Sequence, residues 1–147
     1  MDTAASSGPS ARWEHYAHGA DIGVRGIGPS RACAFEQAGL ALTAVISDPK
    51  LVKPVKHVHI SVTEPDPELL FAKWLNAVVF EMAVERMLFS RFAVRLDGSG
   101  LQADLWGESV DRARHSPAVE VKGATLTDLK VAARPDDTWI AQCIVDV

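Results

Sequence analysis

The residues of this sequence best suited to chemistry are carboxylates near its two ends. Asp146 precedes Val147 in an otherwise apolar alternating segment, so its side chain lies beside the free carboxylate of Val147. Two negative groups held together repel unless a cation neutralises them. Oxygen donors of this kind suit a hard ion such as Ca²⁺, Mg²⁺ or Mn²⁺. Asp21 closes the turn His18-Gly19-Ala20-Asp21 and would add a third carboxylate if the fold brought it near. Spacing alone does not establish that approach. Each residue also has a plainer reading: Asp21 as an acceptor for turn amides, Asp146 as a solvated chain end.

Other polar residues fall where packing alone would not put them. Gly107-Glu108-Ser109 follows an apolar run, with His115 and Glu120-Val121-Lys122 downstream. Glu120 and Lys122 alternate onto one face, the spacing of a surface ion pair worth little. His57 and His59 also share a face. With no acid or cysteine nearby in sequence, they read as the wet side of an amphipathic strand. Phosphate-cradling GxxxxGK[ST], GxSxG and HExxH patterns are all absent. Gly23, Gly26 and Gly28 run into Pro29-Ser30, which does not suit a dinucleotide loop. Cys33 and Cys143 sit among apolar neighbours, without disulfide-framework or metal-motif spacing, and read as buried thiols in a reducing compartment.

The elements that must position these groups follow from periodicity. Trp13 to Ala17 and Ile22 to Ile27 read as strands around the first turn. Ser30 is an N-cap for a helix with apolar steps at Phe35, Ala38, Leu42 and Val45, ended by Asp48-Pro49. Val58, Ile60 and Val62 alternate with His57, His59 and Ser61, the pattern of a half-buried strand over residues 55–62. Asp66-Pro67-Glu68 opens a second helix that runs to about Arg86 and is apolar all round, so little of it should stay wet. Phe89 to Leu96 and Leu101 to Trp106 flank the turn Asp97-Gly98-Ser99-Gly100. Strands are expected over Val119 to Thr125, Leu129 to Ala133 and Trp139 to Val145. The sum is one α+β domain over residues 12–147, two helices on a mainly antiparallel sheet, after a loose tail over residues 1–11.

Composition narrows the function. The 147 residues are 48 % hydrophobic and 23 % charged, with a net charge of −4. That is a globular balance, and its acidic sign disfavours strong direct nucleic-acid binding. No run reaches membrane-spanning length, and the N-terminus carries no secretory pattern, so a cytoplasmic location is expected.

In order and spacing the chain resembles the archease family. The matching pieces are His18-Gly19-Ala20-Asp21-Ile22-Gly23, Ala34-Phe35-Glu36, Asp48, Leu69-Leu70 with Trp74-Leu75-Asn76, Gly107-Glu108, His115, Glu120-Val121-Lys122 and the closing Ile144-Val145-Asp146-Val147. The resemblance implies an accessory protein, not a catalyst. Its partner would be an RtcB-type RNA ligase, whose guanylylation and multiple turnover it promotes in tRNA splicing or RNA repair. It implies that Asp21, Asp146 and Val147 bind a divalent metal. It sets Glu108, His115 and Lys122 on family motif positions, near the partner-facing end with His18. Gly19 departs from the family's more usual threonine, and residues 123–127 replace a stretch that often holds a Tyr-His pair. Two other readings compete: a stand-alone metal-dependent hydrolase using Asp21, Asp146 and Glu108, and a chaperone-like module using apolar surface of the second helix.

Overall fold

The structure is a computed structural model that describes residues 10–98 and 100–147. The loose tail expected over residues 1–11 lies mostly outside them, as does Ser99 of the second hairpin turn. In chain order the elements are β1 (Arg12–His18), β2 (Asp21–Gly28), α1 (Arg31–Ile46), a 3₁₀ turn (Pro49–Leu51), β3 (Lys56–Thr63), α2 (Pro67–Glu85), β4 (Met87–Asp97), β5 (Gly100–Ser109), α3 (Arg112–His115), β6 (Gly123–Ala124), β7 (Lys130–Ala133) and β8 (Trp139–Asp146). The strands make two sheets where the sequence suggested one. The first runs β1-β2-β8-β6, with β7 also on β8; the second runs β3-β5-β4. The strand pairings in both are antiparallel. The result is a single α+β domain with helices packed on antiparallel sheets.

Both long helices begin where their caps predict. The Ser30 hydroxyl accepts from the Cys33 amide at 3.1 Å. One Asp66 oxygen accepts from the amides of Glu68 and Leu69 at 2.8 and 3.1 Å. Each cap satisfies donors that a helix start leaves orphaned. Helix α1 lies between the sheets: Gly26 of β2 meets the backbone of Ala34 and Ala38, while Gly39 meets the Phe92 ring of β4. Phe35, Phe71, Trp74 and Phe89 are fully buried. The Trp74 indole N–H donates to the Phe35 carbonyl at 3.0 Å, which satisfies the one polar atom that ring brings inside.

Three sequence expectations change. Residues 119–125 do not form one strand: only Gly123–Ala124 pairs with β8. The segment before it crosses irregularly, its Ala118 amide donating to the Ile46 carbonyl and its Lys122 amide to the Asp146 carbonyl. Val121 supplies the burial that its apolar character suggested. A third, short helix, α3, is capped by Asp111, which accepts from the amides of Ala113 and Arg114. Finally, α2 is not wholly covered. Phe80 and Val84, one turn apart, are 61 % and 57 % exposed. Both cysteines are buried as expected, and burial pushes their thiols up to about 12. At that value they are poor nucleophiles.

Candidate functional site

The hairpin β1–β2 turns at Gly19, whose φ of +60° belongs to the left-handed region. Glycine at the first turn position is what a type II′ hairpin uses. The turn pairs His18 directly with Asp21. On its other side β2 pairs with β8 through Ile22 and Val145. One step further along that register, Asp21 stands opposite Asp146. Beyond Asp146, β6 contributes Gly123, and the adjacent Lys122 amide donates to the Asp146 carbonyl at 2.7 Å.

Residues directly opposite on antiparallel strands share a sheet face, with Cβ atoms about 5 Å apart. His18, Asp21 and Asp146 therefore form one row at one end of the first sheet, all of them exposed. Val147 follows immediately. Two carboxylates at that spacing fit a hard cation that keeps part of its water shell. Among the described residues, no three His, Cys, Asp or Glu side chains close around a metal position. The candidate set is the side chains of Asp21 and Asp146, with Val147 adjacent.

Glu108 and His115 belong to a different arrangement. Glu108 ends β5, largely buried. One of its oxygens accepts from Arg114 at 2.7 Å; the other accepts from the Lys53 amide at 2.7 Å and meets His115 Nε2 at 3.0 Å. His115 Nδ1 accepts from the Asp111 amide at 2.8 Å, so its Nε2 carries the hydrogen that goes to Glu108. The Ser47 hydroxyl donates to the His115 carbonyl at 2.6 Å. Together these bonds join β5, α3, the end of α1 and the loop that follows the 3₁₀ turn. None reaches Asp21 or Asp146.

The two groups nonetheless sit toward the same end of the molecule. Along α1, Cys33 lies at Gly28 and Ala38 at Gly26, and the Ala41 carbonyl meets His15, which is opposite Val24. Each turn of α1 thus moves toward Asp21, and its last residues hold the 115–118 segment. Glu120 and Lys122 make no ion pair among the described residues; Lys122 approaches the acidic row through its backbone. Between this segment and the end of α2 opens a groove of about 1060 Å³, lined by Ile46, Met82, Arg86, Val110, Val119 and Val121 among others.

The Glu108 network has a pH signature. The Arg114 guanidinium first, then the Lys53 N–H and the His115 N–H, hold the Glu108 carboxyl down to about 2 against an ordinary 4.5. A depressed carboxyl stabilises the fold fully above its unfolded value and loses that contribution as pH falls through the folded one. Glu108→Gln should therefore flatten the fall in stability between about pH 4.5 and 2, read by urea unfolding across that range. A native-like slope in the variant would mean that other carboxylates carry the acid sensitivity.

Sequence proximity also hid a cluster on the outer face of the second sheet. His57 Nε2 and His59 Nδ1 meet one oxygen of Asp104 at 2.7 and 3.0 Å, and Arg95 donates to the other at 3.0 Å. His59, then His57 and Arg95, hold Asp104 well below the usual carboxylate range, and Asp104 in turn raises His59. The histidines are exposed, as their alternation implied. Their acidic partner lies on β5, 45 and 47 residues away in sequence.

With this geometry in view, comparison with known proteins becomes specific. The Archease protein family model matches residues 13–147. The archease of Pyrococcus abyssi is 36 % identical over 140 residues, and that of Thermococcus gammatolerans 37 %; each alignment covers 92 % of this chain and 99 % of the relative. The solution structure of Methanobacterium thermoautotrophicum protein 1598 superposes with a TM-score of 0.80 at 28 % identity, covering 92 % of this chain and 98 % of that one. A crystal structure from Thermotoga maritima, described as an archease and possible chaperone, shares the fold with a TM-score of 0.55 at 16 % identity, covering 91 % and 96 %. This chain belongs to the archease family.

Proposed function

We propose that the protein is a non-catalytic accessory factor of an RtcB-type RNA ligase and acts through a divalent cation held at its acidic end. The observation that carries this reading is the β2–β8 register, which sets Asp21 opposite Asp146, with Val147 adjacent. Asp21, Asp146 and Val147 are the proposed holders of the ion, which would be Ca²⁺, Mg²⁺ or Mn²⁺. When bound, such an ion supplies positive charge to oxygen groups of the partner or its nucleotide. The chain's own residues orient that charge on a protruding hairpin, with His18 and Lys122 flanking it. Glu108 and His115 act one step behind: their network braces the segment that ends at Lys122. Binding one ligase state better than another would be enough to promote guanylylation and turnover. This reading places the protein in the cytoplasm with a protein partner, in tRNA splicing or RNA repair.

The test is multiple-turnover ligation by the matched ligase with GTP and Mn²⁺, with and without this protein. We expect strong stimulation by the native chain and at least tenfold less by Asp146→Ala at equal helicity. Unchanged stimulation by the variant would sink the metal-tip reading. Phosphoester hydrolysis by the isolated protein would favour the stand-alone hydrolase instead. A chaperone-like role has one observation of its own, the exposed Phe80 and Val84 on α2. It predicts suppression of aggregation without metal or ligase.

A further inference from the structure

The second sheet presents a flat outer face of three strands, and the pairing of β3, β5 and β4 arranges it in rows. His57, Trp106 and Arg91 stand side by side in the first row; His59, Asp104 and Ala93 in the second; Ser61, Gln102 and Arg95 in the third. Trp106 is only partly covered. The Arg91 guanidinium lies 4.8 Å from its ring centre, and the His57 ring is 5.3 Å away on the opposite strand. Lys56, at the start of β3, alternates onto the opposite face, where its Nζ donates to Ser109 Oγ at 2.8 Å; the exposed Lys53 lies in the loop before it. The acids that alternate onto this face are Asp104, engaged by Arg95 and both histidines, Glu108, engaged by Arg114, and Asp97 at the far end. In a chain of net charge −4, the acids nearest Trp106 on this face are each engaged by an arginine, and Arg91 adds a further cation beside the ring.

We propose that this sheet face binds single-stranded nucleic acid, with a base stacked at the Trp106–Arg91 pair and phosphates held by Arg91 and Arg95. The chemistry follows from the surface. An aromatic ring on an open sheet, with an arginine beside it, offers a π-face to an unstacked base, and every base has one. A duplex is a poor fit. Its bases are stacked on one another, and a three-stranded face is too broad for the narrow major groove of A-form RNA. Ser61, Gln102 and His59 line the remaining rows with groups able to pair with base edges or a ribose hydroxyl; the Ser61 hydroxyl and a His59 ring nitrogen already meet the Gln102 amide oxygen. Net acidity argued against strong direct binding, and the face accordingly predicts a modest, salt-sensitive affinity.

The experiment uses the whole native chain with no ligase present, so its outcome is independent of the accessory-factor reading. A labelled oligouridine RNA, the matching DNA and a hairpin duplex are titrated by fluorescence anisotropy at low and physiological salt. We expect saturable binding of the single strands, weaker binding of the duplex and quenching of tryptophan fluorescence. RNA and DNA arms show whether the ribose hydroxyl contributes. Trp106→Ala and Arg91→Glu should each weaken binding about tenfold or more, while Trp106→Phe retains most of it and Asp146→Ala leaves it unchanged. If Trp106→Ala fails to fold, Arg91→Glu and Trp106→Phe still decide. Absence of saturable binding at low salt would overturn the proposal, as would binding that neither Trp106→Ala nor Arg91→Glu weakens. So would tighter retention on anionic phospholipid vesicles that depends on Arg91 but not on Trp106, since that is the behaviour of a membrane-facing charge patch.

Discussion

Alanine at position 26 should cost about 3 kcal/mol or more, a large fraction of the stability that a folded domain holds. A Cβ added to Gly26 would lie 1.9 Å from the Ala34 carbonyl oxygen and 2.4 Å from the Ala38 amide nitrogen. Both are backbone atoms of α1, so neither can swing aside as a side chain would. Relief would require α1 to lift from β2, opening the contact on which the first sheet meets the core. Folded domains hold only about 5–15 kcal/mol in reserve, so a loss of this size is severe. Gly19→Ala provides the contrast. Nothing lies within 4 Å of its added Cβ, and only the positive φ is strained, a cost of about 1–2 kcal/mol. Urea titrations of the two variants should separate clearly. A Gly26→Ala midpoint close to the native one would show that α1 is not pinned where these distances put it.

The proposed cation site leads to a second large effect. A ligand that binds only the folded state at one hundred times its dissociation constant adds about 2.7 kcal/mol of stability. For a domain of this size that is roughly 5–10 °C in melting temperature. We expect such a rise when Ca²⁺ or Mn²⁺ is added to the chelator-treated native protein. Asp146→Asn should abolish the rise. The same change should slightly stabilise the metal-free protein, because it removes a negative charge opposite Asp21. Calorimetry with and without chelator measures both effects. An equal rise in the variant would move the site elsewhere, and no rise in the native protein would remove the cation from the proposal.

Local signals were legible in the sequence wherever one residue decides a local geometry. Ser30 and Asp66 mark helix starts because their side-chain oxygens satisfy amides within three residues, and the structure makes those bonds. Alternation over residues 58–62 placed the outward histidines correctly. What escaped was set by pairings between distant segments. One sheet became two because no local pattern says which strand adjoins which. Val119 to Thr125 was expected as one strand, but only Gly123–Ala124 pairs with β8, and Val121 is buried without belonging to a strand.

The candidate site divides in the same way. Asp146 was legible as a charge in an apolar strand, and the register supplied the approach of Asp21 that spacing could not. Glu108 and His115 were grouped with the tip because they fall on family motif positions. The structure gives them a bracing network with Arg114, Ser47 and the Lys53 amide, none of which carried a sequence signal. The Asp104 cluster and the Trp106–Arg91 pair were equally invisible, since cross-strand neighbours lie far apart along the chain.

Strand β8 is last in sequence yet lies inside its sheet, between β2 and β6. Until β8 is available, one edge of β2 has no strand to pair with. Closing a loop of that length is entropically late, and open strand edges invite wrong partners in the interval. The closing strand is also the one that carries Asp146 to Asp21. The acidic pair therefore exists only in molecules that have finished folding, and a partner that recognises it would be blind to incomplete chains.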